Sequence, residues 1–423
     1  MSRHACRSFP LAVILILGTQ SLVNSAELRT TVADRTIYRT VAFEQMLPQK
    51  LADTKGAGPV WDDACLSCGA SGCGLQCVQP SCYYADLEYL LWWRSGSRVP
   101  PLVTTGPNGT ASGVAGVLPG ATVLFGDDRI GGGARPGGRL KIGMWLDDCG
   151  ARAVEARFFS LGKQTLHFDF ATQGTAPILA RPFTNAINPA NLISSAKVLT
   201  HPDLAQDGNV NITASSEVLG GDVLYRLGVC SSDCWDLDFL AGYQFARIDE
   251  NLLIQDTFVD QDGSNFPVPD GTRVNSFDRF DARNEFHAGQ FGLEATYWAD
   301  CWRLEVLAKV ALGNMNQIID IAGQTTSDPA GVVVSAEGLL ANVGNIGRRE
   351  QNEFAVAPEL GATLVYEIHE CVDLSFGYSY IYFSKVAQAG EQIDPNLLAP
   401  SPLQFNTGSY WLHGLRVGAE MRF

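Results

Sequence analysis

The chain ends in Leu415-Arg416-Val417-Gly418-Ala419-Glu420-Met421-Arg422-Phe423, where apolar residues alternate with polar residues or glycine. Successive side chains of a β-strand point to opposite faces, so this segment has one apolar face and one polar face. Strands that cross an outer membrane share this pattern, because the apolar face contacts lipid and the other face lines the lumen. The segment therefore predicts the closing strand of a membrane-spanning β-barrel.

The same two-residue period recurs through most of residues 83–423. It is clearest where Trp235 and Phe239 share one face while Asp236 and Asp238 share the other. The pattern predicts strands at 83–94, 138–147, 153–171, 212–229, 235–245, 286–298, 302–312, 354–367, 372–383 and 410–423. Single-chain bacterial barrels have even strand numbers, so we predict an all-β, transmembrane, antiparallel up-and-down β-barrel of about ten, or alternatively about twelve, strands.

The connections between these strands alternate in length. Long ones lie near 95–137, 172–211, 250–283, 314–351 and 385–408, and short ones near 148–151, 230–234, 299–301 and 368–371. Outer-membrane barrels have long outer loops and short periplasmic turns, which predicts that both ends of the barrel segment are periplasmic. A soluble β-sandwich also alternates along its strands and is the structural alternative, but it gives no reason for the alternating connection lengths.

The N-terminus has the parts of a secretory signal peptide. A basic start precedes the apolar run Leu11–Gly18, and Ala26 is a small residue suited to cleavage. That run is too short to span a bilayer, and no later stretch approaches the roughly 18 to 20 apolar residues of a membrane helix. We predict a signal peptide at 1–26, a periplasmic arm with a cysteine-rich segment at 27–82, and an outer-membrane barrel at 83–423.

The cysteines outside the predicted signal are even in number, which in an exported chain favours disulfides. The candidates are Cys65, Cys68, Cys73, Cys77, Cys82, Cys149, Cys230, Cys234, Cys301 and Cys371. The later ones lie in or beside the short turns, so a disulfide framework that holds the arm beneath the barrel is predicted. Metal or iron–sulfur binding is the alternative, but the spacings match no metal motif well, and we expect neither metal nor cofactor.

Charged residues on the faces turned away from lipid are predicted to line the lumen. They are Arg139, Lys141, Glu155, Arg157, Asp236, Asp238, Glu294, Arg303, Glu305, Lys309, Glu359, Arg416 and Glu420. Barrels of about eight strands are filled by side chains, whereas porins with wide channels have about 16 to 18 strands. These charges therefore predict a porin-like or narrow passive channel for small solutes, or a barrel that is largely plugged and structural.

Other functions are less well supported by the sequence. A net charge of −15 argues against nucleic acid as a partner, because nucleic acid binding needs a basic face. Histidines such as His167, His201 and His287 lack the spacing of a Ser/His/Asp set, so no catalysis is expected. An outer-membrane enzyme or ligand-binding barrel that acts through its outer loops is one alternative function. A soluble, secreted β-sandwich adhesin is the other.

Five segments together resemble a known family. They are YADLEYLLWW at 84–93, PPLVTT at 100–105, VLFG at 123–126, the segment from Gly138-Arg139-Leu140 to Trp145-Leu146, and LARPF at 179–183. This combination is similar to the bacterial outer-membrane family labelled putative β-barrel porin type 7, over roughly residues 83–423. The resemblance implies an outer-membrane barrel, and it supplies neither a solute nor catalytic residues.

Two expectations concern the outer loops and the partners. Arg181, Pro182 and Phe183 are predicted to constrict or plug the outer mouth, with Arg181 reaching a lumen carboxylate. The expected partners are outer-membrane lipid and, through the strand that ends at Phe423, the barrel assembly machinery; the oligomeric state is left open.

Overall fold

The computed structural model describes residues 83–147, 150–188, 191–232, 234–261, 268–299, 301–328, 332–369, 371–397 and 405–423. The predicted signal peptide, the arm and its cysteines Cys65 to Cys82, and also Cys149, lie outside these residues. Within the described ranges there is no α-helix, only short 3₁₀ turns at Ser112–Val114 and Gly390–Gln392. None of the helical segments described could therefore cross a bilayer.

Long antiparallel strands form a closed ring, which in the described part of the chain has about ten members. These wall strands are β1 (Tyr83–Arg94), β6 (Arg135–Trp145), β7 (Arg152–Ala171), β10 (Ala205–Ser231), β11 (Trp235–Asp260), β12 (Arg273–Ala299), β13 (Trp302–Asp328), β15 (Gly347–His369), β16 (Val372–Ala387) and β17 (Thr407–Arg422). The shorter strands are β2 (Ser97–Val99), β3 (Val103–Gly106), β4 (Thr122–Phe125), β5 (Asp128–Ile130), β8 (Ile178–Asn188), β9 (Asn191–Thr200) and β14 (Val332–Ser335).

Each wall strand pairs with the next wall strand along the chain, and the last pairs with the first. β17 lies against β1 from Tyr84 opposite Arg422 to Arg94 opposite Leu412. The C-terminal segment thus closes the ring, and the predicted all-β up-and-down barrel of about ten strands is confirmed. We call the end with the short turns the periplasmic end, because outer-membrane barrels have their short turns there.

The outward face of the wall changes from apolar to polar along the strands. On β11 it is apolar from Trp235 to Phe245 and becomes polar from Arg247, which continues with Asp249 and Asn251. Aromatic residues lie at the periplasmic end of this apolar band, where the rings of Trp302 and Tyr366 are 4.5 Å apart. An apolar band bounded by aromatic side chains suits a bilayer with its two interfaces.

The wall continues well beyond this band. The predicted long connections 250–283 and 314–351 are mostly strand, since β11 runs to Asp260 and β13 runs to Asp328. The two-residue period persists there, but the apolar residues, such as Ile254 and Phe258, now point inward and are buried. The wall beyond the apolar band is therefore built like a soluble barrel, with an apolar interior and a polar exterior.

The outer connections fold back into the barrel. β4, β3, β8 and β9 form a small antiparallel sheet, here called the plug sheet, and β2 pairs with β5. Val103 and Leu179 of the plug sheet share one apolar cluster with Leu252, Ile254 and Phe258 of the inner wall. Burial of these apolar side chains against each other holds the plug sheet inside the outer part of the wall.

Candidate functional site

Charged side chains fill the lumen at its periplasmic end and form what we call the ionic layer. Its cations are Arg139, Lys141, Arg157, Arg226, Arg303, Lys309, Arg416 and Arg422, and its carboxylates are Asp86, Glu88, Glu155, Asp222, Asp238, Glu294, Glu305, Glu359, Asp373 and Glu420. Each has at least one oppositely charged partner. Such pairing is what removes the large cost of leaving a charge buried and uncompensated.

Arg226 shows how tightly the ionic layer is connected. Its guanidinium donates to Glu155 at 2.9 Å, to Asp238 at 2.5 Å and to Glu294 at 2.6 Å. These carboxylates lie on β7, β11 and β12, so one arginine on β10 joins four wall strands. The fork of donors in a guanidinium allows one side chain to satisfy several carboxylates at once.

A second group links Lys309 on β13 to carboxylates of β10 and β15. Its ammonium lies 2.9 Å from Asp222 on β10 and 2.9 Å from Glu359 on β15. Arg157 on β7 also pairs with Asp222, at 2.5 Å. Of these contacts, the one between Lys309 and Asp222 bridges strands that are not neighbours in the ring, so it spans part of the lumen. The other two join paired strands.

All but one of the predicted lumen residues belong to this ionic layer. Asp236 lies at the periplasmic rim instead, where it accepts hydrogen bonds from Trp298 at 2.7 Å and from Ser231 at 2.6 Å. The prediction omitted several members, namely Asp86, Glu88, Asp222, Arg226, Asp373 and Arg422. All of them alternate with the apolar residues of their strands, and this alternation could have identified them as lumen residues.

A buried apolar layer lies on the outer side of the ionic layer. It consists of Leu90, Trp92, Phe159, Leu161, Val218, Ala246, Ile248, Phe286, Ala288, Ala311, Met315, Ala355, Ala357, Ile381, Phe383, Val386, Tyr410 and Leu412. Side chains meet across the lumen, since the rings of Phe286 on β12 and Phe383 on β16 are 5.7 Å apart, edge to face. Trp92 on β1 reaches Phe159 on β7 at 5.5 Å.

The remaining wall strand, β6, contributes Gly137 to this layer. A Cβ at Gly137 would lie 2.7 Å from the side chain of Leu161 and 2.5 Å from the carbonyl oxygen of Ser160. This close approach means that the backbone and side chains of β7 fill the space beside Gly137. The apolar layer is therefore continuous around the barrel wall.

Arg181 fastens the plug sheet to the wall. It is completely buried on β8 and donates to Asp256 of β11 and to Asp278 of β12, each at 2.6 Å. Lys197 on β9 also binds Asp256, at 2.6 Å. Asp278 in turn accepts the backbone N–H groups of Leu340 and Ala341 at 2.8 Å, which fixes the outer loop that follows β14.

The other two residues predicted for a constriction stay within the plug sheet. Pro182 is buried and lies opposite Ala196, and Phe183 is half-buried opposite Ser195. Both residues therefore lie in the plug sheet, paired with β9.

The contacts of Asp256 with Lys197 and Arg181 predict that plug docking depends on pH. Burial alone would raise the pKa of Asp256, but Lys197 and Arg181 hold this pKa below its ordinary value. Burial and the neighbouring Arg181 lower the pKa of Lys197. A carboxyl group whose folded-state pKa is depressed stabilises the fold above its unfolded pKa, near 3.9, and this stabilisation is lost as the pH falls.

We therefore expect the plug sheet to stay docked at neutral pH and to loosen only below about pH 4. Hydrogen exchange of the β8 and β9 amides at pH values from 7 down to 3 checks this. Asp256→Asn serves as the matched variant, which should lose most of the acid step. Equal acid sensitivity in the wild type and in this variant would contradict the assignment.

The cysteines in the described ranges differ in whether their thiols are free. Cys234, Cys301 and Cys371 lie between wall strands at the periplasmic end, and none of them is free. Cys230 has a free, exposed thiol, so the prediction of a disulfide at this residue is wrong. A register shift between Gly228 and Cys230 turns Cys230 to the outward side with Leu237, away from the lumen.

The histidines are not brought together. The imidazole of His167 is exposed on β7 near Thr213, His201 contacts the carbonyl oxygen of Thr110 at 2.9 Å, and His287 contacts the hydroxyl of Tyr243 on the outward face. No cluster of three or more potential metal ligands occurs in the ranges that the structure describes.

Comparison with known proteins gives one family. The family model described as "Putative beta barrel porin-7 (BBP7)" matches residues 84–423. No curated protein matches the sequence.

Among solved structures, the outer membrane protease OmpT from Escherichia coli is similar, at 10% sequence identity, with 82% of this chain and 98% of that chain covered and a TM-score of 0.39. The toluene transporter TodX from Pseudomonas putida matches at 8% identity, 82% and 91% coverage and a TM-score of 0.20. The toluene transporter TbuX from Ralstonia pickettii gives 8% identity, 82% and 90% coverage and a TM-score of 0.22. Likeness at this level says nothing about the activity of the chain.

Proposed function

Because the chain belongs to the beta barrel porin-7 family of outer-membrane barrels, we propose that it is a closed, structural barrel that does not conduct solutes at rest. The continuous apolar layer between β1, β7, β10 to β13 and β15 to β17 carries this proposal. The protein would reach the outer membrane through its signal peptide. The turn cysteines Cys234, Cys301 and Cys371 would form disulfides that brace the periplasmic end.

The energetics support closure at two levels. An ion that crosses the apolar layer would lose its hydration without gaining partners, and an isolated charge in such surroundings is very costly. In the ionic layer, an ion would have to displace paired side chains such as Arg226 and Lys309, each held by more than one carboxylate. The plug sheet, fastened by Arg181, covers the outer side.

Planar-bilayer recording of the purified, refolded protein tests the proposal. We expect no stable conductance steps from the wild type, because the apolar layer is filled. Phe286→Ala combined with Phe383→Ala should produce brief events of low conductance, since it removes the pair of rings that meets across the lumen while the ionic layer still narrows the path. Phe291→Ala is the matched control, because this ring lies on the outward face and is exposed. Regular single-channel steps from the wild type would contradict the proposal.

A narrow passive channel for small solutes is the second candidate. The porin-like description of the family favours it. This candidate predicts wild-type conductance steps that depend on salt and are altered by lumen variants such as Lys309→Gln. The same recordings therefore separate the two functions.

A further inference from the structure

Arg135 is a buried cation whose hydrogen-bond acceptors, within the described residues, are neutral. Its side chain is almost fully buried at the start of β6, 2% exposed. It donates to the amide oxygen of Gln164 at 2.8 Å and to the carbonyl oxygen of Ser216 at 3.1 Å, and it also contacts the Ser216 hydroxyl. All of these acceptors are neutral, and no salt bridge to Arg135 occurs within the described residues. This contrasts with the ionic layer, where each cation has a carboxylate.

Arg135 lines a cavity of about 170 Å³ between the wall and the outer connections that carry β2, β5 and the turn at Gly390. Arg94 also lines it and pairs with Glu250, whose other oxygen accepts the backbone N–H of Ala389 at 3.1 Å. Arg94 and Arg135 thus face one carboxylate, Glu250, which Arg94 engages directly, so the charged residues of the cavity lining carry one excess positive charge. One water in the liquid takes up about 30 Å³, so the cavity has room for a few waters or for one small oxyanion.

The polar groups around this cavity suit an anion. The Ser216 oxygen accepts from Arg135 and the Ser97 oxygen accepts from the backbone N–H of Gly390 at 3.1 Å, so both hydroxyl protons are free to donate to a ligand. A guanidinium with hydroxyl donors beside it matches the acceptor oxygens of phosphate and carboxylate groups. An uncompensated buried charge is costly, and an anion bound at Arg135 would remove that cost.

We propose that the cavity at Arg135 is a binding site for a small oxyanion of the phosphate or carboxylate class. The site lies on the outer side of the apolar layer and is separate from the ionic layer. Oxyanion binding at this site requires no conducting path, so this proposal does not depend on the function proposed above.

Calorimetric titration of the refolded, full-length protein with inorganic phosphate tests this site, with acetate and chloride as parallel titrants. We expect saturable binding of phosphate or acetate, and a loss of affinity of about tenfold or more in Arg135→Gln, because a charged hydrogen-bond donor is removed. Arg279→Gln is the matched control, since Arg279 is an exposed arginine on the outward face. Its affinity should equal that of the wild type.

A second variant keeps the test decisive if Arg135→Gln does not fold, which heat-modifiable gel migration would reveal. Glu250→Gln removes the carboxylate that lines the cavity and retains an acceptor oxygen for Ala389. We expect this variant to bind the oxyanion several-fold more tightly than the wild type. The proposal is overturned by an absence of oxyanion binding to the wild type, by binding of chloride alone, or by wild-type affinity in folded Arg135→Gln or in folded Glu250→Gln.

Discussion

Replacing Arg181 by alanine is expected to release the plug sheet from the barrel wall. The substitution leaves the buried carboxylates of Asp256 and Asp278 without the guanidinium that now lies 2.6 Å from each. Breaking a buried ion pair by removing one partner typically costs about 3–5 kcal/mol. We therefore expect a lower free energy of unfolding in a urea titration and faster hydrogen exchange of the β8 and β9 amides.

Arg279→Ala provides the comparison for this result. Arg279 pairs with Asp281 at 3.2 Å on the exposed outer face, and surface pairs of this kind contribute only about 0–1 kcal/mol. Both variants should remain non-conducting, because the apolar layer and the ionic layer are intact. Unchanged protection of the β8 and β9 amides in Arg181→Ala would disprove the anchoring role, and the appearance of conductance would show that the plug sheet alone closes the lumen.

Replacing Arg226 by alanine should have an effect of similar or greater size at the periplasmic end. Glu155, Asp238 and Glu294 would lose their shared cation inside the membrane-embedded part of the barrel. The expected loss is at least about 3–5 kcal/mol, since several buried carboxylates become uncompensated. The variant should refold poorly, which the fraction of heat-modifiable protein after refolding measures.

Two further variants identify the cause of that loss of folded protein. Arg283→Ala removes an arginine that binds Asp249 at 2.9 Å on the exposed face, so it should refold like the wild type. Arg226→Ala combined with Asp238→Asn and Glu294→Gln neutralises two of the three carboxylates that lose their cation and should recover part of the folded fraction. No recovery in this combined variant would mean that the packing of Arg226, and not its charge, is what matters.

Much of the barrel could be predicted from the sequence because a strand that faces lipid must alternate. The segment from Leu415 to Phe423 and the strand that begins at Trp235 carry this signal at full strength. The predicted charges opposite the apolar residues fall in the ionic layer, apart from Asp236 at the rim. Their partners were not predictable, because pairs such as Lys309 with Asp222 join strands that are distant in sequence.

The sequence by itself determined the strand period, the closing strand and the apolar band, since these follow from local alternation and from contact with lipid. Only the tertiary structure decided that residues such as Ile254 and Phe258 belong to wall strands and not to loops, because their apolar faces turn inward to meet the plug sheet. It also decided that Arg181 is bound to the wall and that Arg135 donates to neutral oxygens of Gln164 and Ser216. Alternation shows which residues share a face, whereas what that face contacts depends on segments that come together only when the chain folds.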